Sequence, residues 1–162
     1  MARKILISAI GTGRKERDSA DFSREYIDTE YRLGVTIYKS SFVTRVIQAR
    51  LASKTVFYIG TVGSMWEEGY TQHAAAKGEF AEDTWVRIAD AINACTWHAG
   101  LDAVDFTPSE KELGYGGKII PVRAGITDEE NIENFTNISK IADYLEDGDC
   151  IYLDITHSFR SL

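Results

Sequence analysis

The chain has 162 residues, 44% of them hydrophobic, and a formal charge of −7. That size and composition fit one domain with a real core and exclude global disorder; no apolar run approaches the ~20 residues of a membrane span. The negative charge argues against binding of long nucleic acid, which relies on many phosphate contacts.

The start, Met1-Ala2-Arg3-Lys4 followed by a brief apolar run, is too short for a signal peptide, so a cytoplasmic location is expected. The first strand spans Lys4 to Ile10 and ends in Gly11-Thr12-Gly13-Arg14-Lys15. Residues 22–31 partly alternate, and Leu33-Gly34-Val35-Thr36-Ile37-Tyr38 follows, which predicts a β-hairpin inserted before the first long helix. Ser40 or Ser41 is placed to cap that helix, whose apolar positions are Phe42, Val43, Val46, Ile47 and Leu51. A second strand, Thr55 to Ile59, closes in Gly60-Thr61-Val62-Gly63-Ser64. Residues 66–98 read as helical, with an apolar stripe of Phe80, Trp85, Ile88, Ala89, Ile92 and Cys95, and residues 101–117 read as a loop. The third strand, Lys118 to Ala124, contains Pro121, which implies an edge or irregular position. Thr127 and Glu130 form a capping box, and Ile132, Phe135, Ile138, Ile141 and Leu145 recur at helical intervals before Gly148. Cys150 to Leu153 read as a buried last strand, and Cys95 and Cys150 as buried free thiols.

Strands alternating with helices require crossover connections. The expected fold is therefore α/β, a Rossmann-like, mostly parallel sheet with helices on both faces and the inserted hairpin. In such sheets ligands bind outside the carboxyl ends of the strands. The two most polar strand ends are Gly11-Thr12-Gly13 and Asp154-Ile155-Thr156-His157-Ser158-Phe159-Arg160-Ser161, and together they suggest one phosphate-bearing ligand. Charge distribution agrees: residues 1–60 carry 11 Lys+Arg against 6 Asp+Glu, and residues 61–162 carry 7 against 19. Arg160 suits a forked grip on phosphate, and His157 a phosphate or ribose hydroxyl. Thr61 and Ser64 offer further hydroxyls, Trp66 is more simply a core residue, and Asp154 fits strand-end hydrogen bonding.

Several chemistries are disfavoured. Glu16 stands where the dinucleotide fingerprint needs its third small residue, and no Gly-Lys-Ser/Thr ending makes a P-loop. His73, His98 and His157 have no metal-ligand spacing, and no Gly-x-Ser-x-Gly elbow is present, so neither metal nor catalytic residues are assigned.

The pairing of Gly11-Thr12-Gly13 with Asp154-x-Thr156-His157-x-Phe159-Arg160-Ser161 resembles the CRISPR-associated Rossmann-fold (CARF) sensor domains of type III systems. Gly60-Thr61 and Trp66 fit the same pattern, which runs from Ile5 to Leu162. The resemblance implies a homodimer whose cleft binds a cyclic oligoadenylate second messenger, cyclic tetra- or hexa-adenylate, and controls a fused effector in antiviral defence. The sequence stops just after a strand that a covering helix should follow, so residues 1–162 are expected to be an N-terminal fragment of a longer effector protein. By motif, Gly11, Thr12, Gly13, Thr156, His157, Ser158 and Arg160 would meet the ligand; Ser8, Ser41 and Thr61 follow from strand-end position. Ser158 stands where many relatives have glycine, which narrows the pocket. The alternatives are a ring nuclease, which cleaves the messenger by metal-independent 2′-OH attack, and an unrelated Rossmann-like nucleotide-binding enzyme.

Overall fold

The computed structural model describes residues 2–12, 14–15, 24–25, 27–66, 68, 86, 90 and 116–156. Four strands rich in β-branched and aliphatic residues build its central sheet: β1 (Lys4–Ala9), β6 (Thr55–Gly60), β7 (Gly116–Pro121) and β8 (Cys150–Asp154). All pair in parallel, in the order β7-β6-β1-β8. Ile5 lies beside Thr55 on one side and Ile151 on the other; Ser8 lies beside Tyr58 and Asp154. The chain therefore steps from β1 outward through β6 to β7, then returns across the sheet to place β8 on the opposite side of β1. The strand order reverses between β1 and β8.

Helix α1 (Val43–Leu51) covers one face and helix α2 (Asp128–Ser139) the other. Phe42, at the start of α1, packs its ring on Tyr58, with centroids 6.0 Å apart. On the opposite face Ile5, Phe57, Ile59, Ile120 and Val122 form a core with Ile141, joined by Ile138, Tyr144 and Leu145. Ile141 and Tyr144 lie in a 3-10 turn (Lys140–Tyr144) that continues α2. This is the α/β arrangement with helices on both faces that the sequence predicts.

The inserted hairpin is also present. Strand β4 (Thr29–Leu33) pairs antiparallel with β5 (Thr36–Ser40) across Gly34 and Val35. Gly34 takes φ +66°, and glycine at the first central position of a two-residue turn matches the twist of the strands. The predicted first arm is split, however. Arg24–Glu25 (β3) pairs instead with Arg14–Lys15 (β2), just beyond β1.

Four expectations need correction. The last strand is not buried: β8 is an edge of this sheet, and Ile151, Leu153 and Ile155 are 50%, 67% and 66% exposed. Ile151 and Leu153, in register with Ile5 and Ile7, lie on the face away from the buried Asp154, and the described residues leave that face open there. Cys150 is accordingly an exposed free thiol rather than a buried one. Neither Ser40 nor Ser41 caps α1. Phe42 holds the N-cap position without a side-chain cap bond, and Ser40 Oγ accepts the Phe42 N–H at 3.0 Å. Burial of the Phe42 ring, not a hydroxyl, sets where the helix begins.

The fourth correction concerns α2. Ile132 and Phe135 are exposed, although Ile138 and Ile141 meet the core. The inward side is partly taken by asparagines. Asn134 accepts from Arg123 N at 2.8 Å and donates to Arg123 O at 3.1 Å, and Asn137 donates to Pro121 O at 3.2 Å. Main-chain groups just past β7 need polar partners, and the helix turns its amides toward them. The capping box is as expected in part: Thr127 Oγ1 accepts from Glu130 N at 3.2 Å, while Glu130 Oε2 reaches one residue further back, to Ile126 N at 2.9 Å. Pro121 closes the edge strand β7, where its missing N–H costs nothing.

Trp66, Glu68, Val86 and Asp90 are helical. The stripe of Phe80, Trp85, Ile88, Ala89, Ile92 and Cys95 lies outside the described residues, as do His73, His98 and residues 101–115 of the loop expected at 101–117; Gly116 and Gly117 belong to β7 instead, which ends at Pro121 rather than Ala124.

Candidate ligand-binding rim

Because the four strands run in parallel, the ends of β1, β6 and β8 emerge on one rim. Two separate hydrogen-bonded clusters hold that rim together.

The first joins β1 to β8 and α1. Ser8, Thr44 and Asp154 are all buried. Ser8 Oγ donates to Asp154 Oδ2 at 2.8 Å and lies 2.6 Å from Thr44 Oγ1, which is itself 3.1 Å from Oδ2. Two hydroxyl protons serve these three contacts. The distances favour Ser8 giving its proton to the carboxylate, with the Thr44 proton shared between Ser8 and Asp154. The other oxygen, Asp154 Oδ1, accepts from the Thr156 N–H at 3.0 Å and from Thr156 Oγ1 at 2.6 Å. One buried carboxylate thus holds the end of β1, the first turn of α1 and the turn after β8. Strand-end hydrogen bonding was the role its position in the sequence implied.

The second cluster joins β1 to β6. Ser64 Oγ accepts from Thr61 N at 2.9 Å and donates to Ile10 O at 2.8 Å, while Met65 N donates to Gly11 O at 3.0 Å. Trp66 is fully buried, and its indole N–H donates to Thr61 O at 2.9 Å. Gly60 makes this closure possible, since a Cβ there would meet Ser64 Oγ at 2.7 Å and Trp66 Cζ2 at 2.9 Å. Thr12 is drawn in too: a Cβ on Gly63 would sit 4.0 Å from its methyl group. Ser64 and Trp66 are therefore committed to structure.

The candidate residues divide accordingly. Ser8 and Thr156 meet through Asp154, with Thr156 exposed and Ser8 beneath the surface. Gly11 and Thr12 are brought to the Thr61–Ser64 turn. Ser41 stands apart. Its hydroxyl lies 3.4 Å from Glu68 Oε2, and it lines a cleft of about 320 Å³ between the hairpin and α1, together with Lys39 and Arg45. None of Ser8, Gly11, Thr12, Thr61 and Thr156 lines that cleft. Gly13, His157, Ser158 and Arg160 lie outside the described residues. The tie of Thr44 to Asp154, 110 residues away, has no local signal in the sequence.

Beneath the rim, burial pushes the Tyr58 phenol above its ordinary range, with Arg45 partly opposing the shift. Among the described residues no group of three or more His, Cys, Asp or Glu is placed to hold a metal ion. No described helix is long and apolar enough to cross a membrane.

Comparison with known proteins gives one curated relative. The chain is 35% identical over 173 aligned positions, 98% of its own length, to the CRISPR-associated protein MJ1674 of Methanocaldococcus jannaschii. It spans 27% of that relative's length. No family model matches the chain, and no solved structure matches it.

Proposed function

We propose that this chain is a CARF-like sensing domain that binds a cyclic oligoadenylate, cyclic tetra- or hexa-adenylate, across a homodimer and so controls a fused effector in type III CRISPR defence. One observation carries the reading: the ends of β1 and β8, the two strands whose following residues hold the sequence signature, lie side by side where the strand order reverses. Reversal points of open α/β sheets are where ligands enter, because the connections diverge there and leave a crevice. Similarity to a much longer CRISPR-associated protein supports both the biological setting and a domain that acts on something beyond itself.

A compact ring with a few phosphates suits this rim better than a long polyanion. Main-chain amides of the Gly-Thr-Gly run and hydroxyls at Thr12, Thr61 and Thr156 would donate to phosphate oxygens, and Arg160, in the sequence after Thr156, would neutralise a charge. A two-fold ligand on a two-fold dimer lets each protomer offer the same contacts to half of the ring. The ligand's differential affinity for the active arrangement then drives the effector. No cofactor enters this reading, and the domain acts in the cytoplasm.

Titration calorimetry of the chain with cyclic tetra-adenylate, cyclic hexa-adenylate, linear oligoadenylate and NAD tests it. One ring is expected to bind at one per two chains. Arg160→Ala should weaken that binding by about 1.5–3 kcal/mol, the loss of a charged hydrogen bond. Failure of both rings to bind, or a preference for NAD, overturns the proposal.

A further inference from the structure

We infer that Asp154 is a positioning residue for the ligand site: it does not touch the ligand but holds the turn after β8 in binding-ready form, and it links that turn to α1. The inference rests on the functional reading above. Asp154 is buried and its two oxygens are divided between two tasks. Oδ2 is anchored by Ser8 from the sheet and Thr44 from α1, at 2.8 and 3.1 Å. Oδ1 captures both the main-chain N–H and the hydroxyl of Thr156, at 3.0 and 2.6 Å. The carboxylate is thus fixed on its inner side and reaches outward with its outer one. Thr156 opens the segment that carries His157 and Arg160.

The physical consequence is preorganisation. A turn held before the ligand arrives has already lost its backbone freedom; a loose turn loses it on binding, at the expense of affinity. Thr44 adds a second link. It stands in the first turn of α1, directly after β5, so a shift of the hairpin and helix changes the anchor of the carboxylate. Ligand engagement at the turn and movement of α1 are coupled through one residue.

Two variants of the full chain separate positioning from bulk stability. Asp154→Ala removes both halves of the latch, and ring binding should weaken about tenfold or more. Asp154→Asn keeps an oxygen for Thr156 and offers an amide that Ser8 and Thr44 can accept, so it should recover affinity to within about threefold. Leu6→Ala serves as the control, a fully buried core residue of β1 whose loss destabilises the sheet without touching the turn. It should leave affinity near native. Hydrogen exchange at the Thr156 amide provides a readout that needs no ligand: slow in the native chain and Asp154→Asn, fast in Asp154→Ala. Native affinity in Asp154→Ala, unchanged Thr156 exchange in it, or an equal affinity loss in Leu6→Ala contradicts the inference. If the native chain binds neither ring, the functional reading falls, and the exchange comparison alone still decides whether the latch exists.

Discussion

The two ends of the β1–β8 pair are fastened in opposite ways. At the amino-terminal end a half-exposed Arg3 grips Asp149, at 2.9 and 2.6 Å, and adds the exposed Glu146 at 3.0 Å; the Asp149 side chain lies beneath the guanidinium and is 6% exposed. At the carboxyl-terminal end the fastening is Ser8, Thr44 and Asp154, closed off from solvent. A half-exposed guanidinium leaves its pairs open to screening by water and salt. A buried carboxylate must have its hydrogen bonds satisfied, so its partners are placed closely and their loss is costly. The same two strands thus carry a clasp with a solvent-facing guanidinium at one end and an enclosed hydroxyl–carboxylate one at the other, and the enclosed one lies beside the proposed ligand site.

Mutations at each end sharpen that contrast. Asp154→Ala should have the largest effect on stability, about 2–4 kcal/mol in denaturant unfolding, because charged hydrogen bonds are lost and two buried hydroxyls are left to each other. A loss no larger than that of a surface variant would remove the contrast. Gly60→Ala comes next, at about 1–3 kcal/mol, since its methyl would collide with Ser64 and Trp66 and press the β6 turn away from β1. An unchanged midpoint would mean that the turn is looser than its contacts imply.

Asp149→Asn should have the smallest effect, and one that depends on pH and salt. The Arg3 guanidinium, and then the Glu146 N–H, hold the Asp149 carboxyl down to about 2. A carboxyl more acidic in the folded state than in the unfolded state contributes stability above the ordinary carboxylate range, and loses it as pH falls through the folded value. The gap between native and Asp149→Asn should therefore close between about pH 4 and pH 2, and narrow in high salt. A gap that widened on acidification would contradict the assignment of Arg3 as the partner.

Much of the fold was legible because it rests on local patterns. Apolar strand runs, the inserted hairpin, Thr127 before α2 and Pro121 at an edge each have a short-range physical cause, and each appears. What failed depended on distant neighbours. The β8 run Ile151-Tyr152-Leu153 looks like a buried strand whichever face is covered, and which face the rest of the described chain leaves open is decided by residues far from it in sequence. The inward turn of Asn134 and Asn137, which leaves Ile132 and Phe135 outside, answers main-chain groups near Pro121 that periodicity cannot see. Hydroxyls were the least legible residues of the rim. Ser8, Thr44 and Ser64 sit at similar strand and helix ends in the sequence, yet Ser8 and Thr44 serve a carboxylate and Ser64 closes a turn. A hydroxyl takes its role from the partner that folding brings to it.

The central claim, that the carboxyl-terminal rim of β1, β6 and β8 receives the ring, is tested most directly by following backbone amide shifts during titration with cyclic tetra- or hexa-adenylate. The largest changes should fall on Gly11 to Gly13, Thr61 to Ser64 and Thr156 to Arg160. Arg3, Ser53 and Asp149 at the opposite rim should stay still. Changes centred on that opposite rim, or none at saturating ring, would contradict the account.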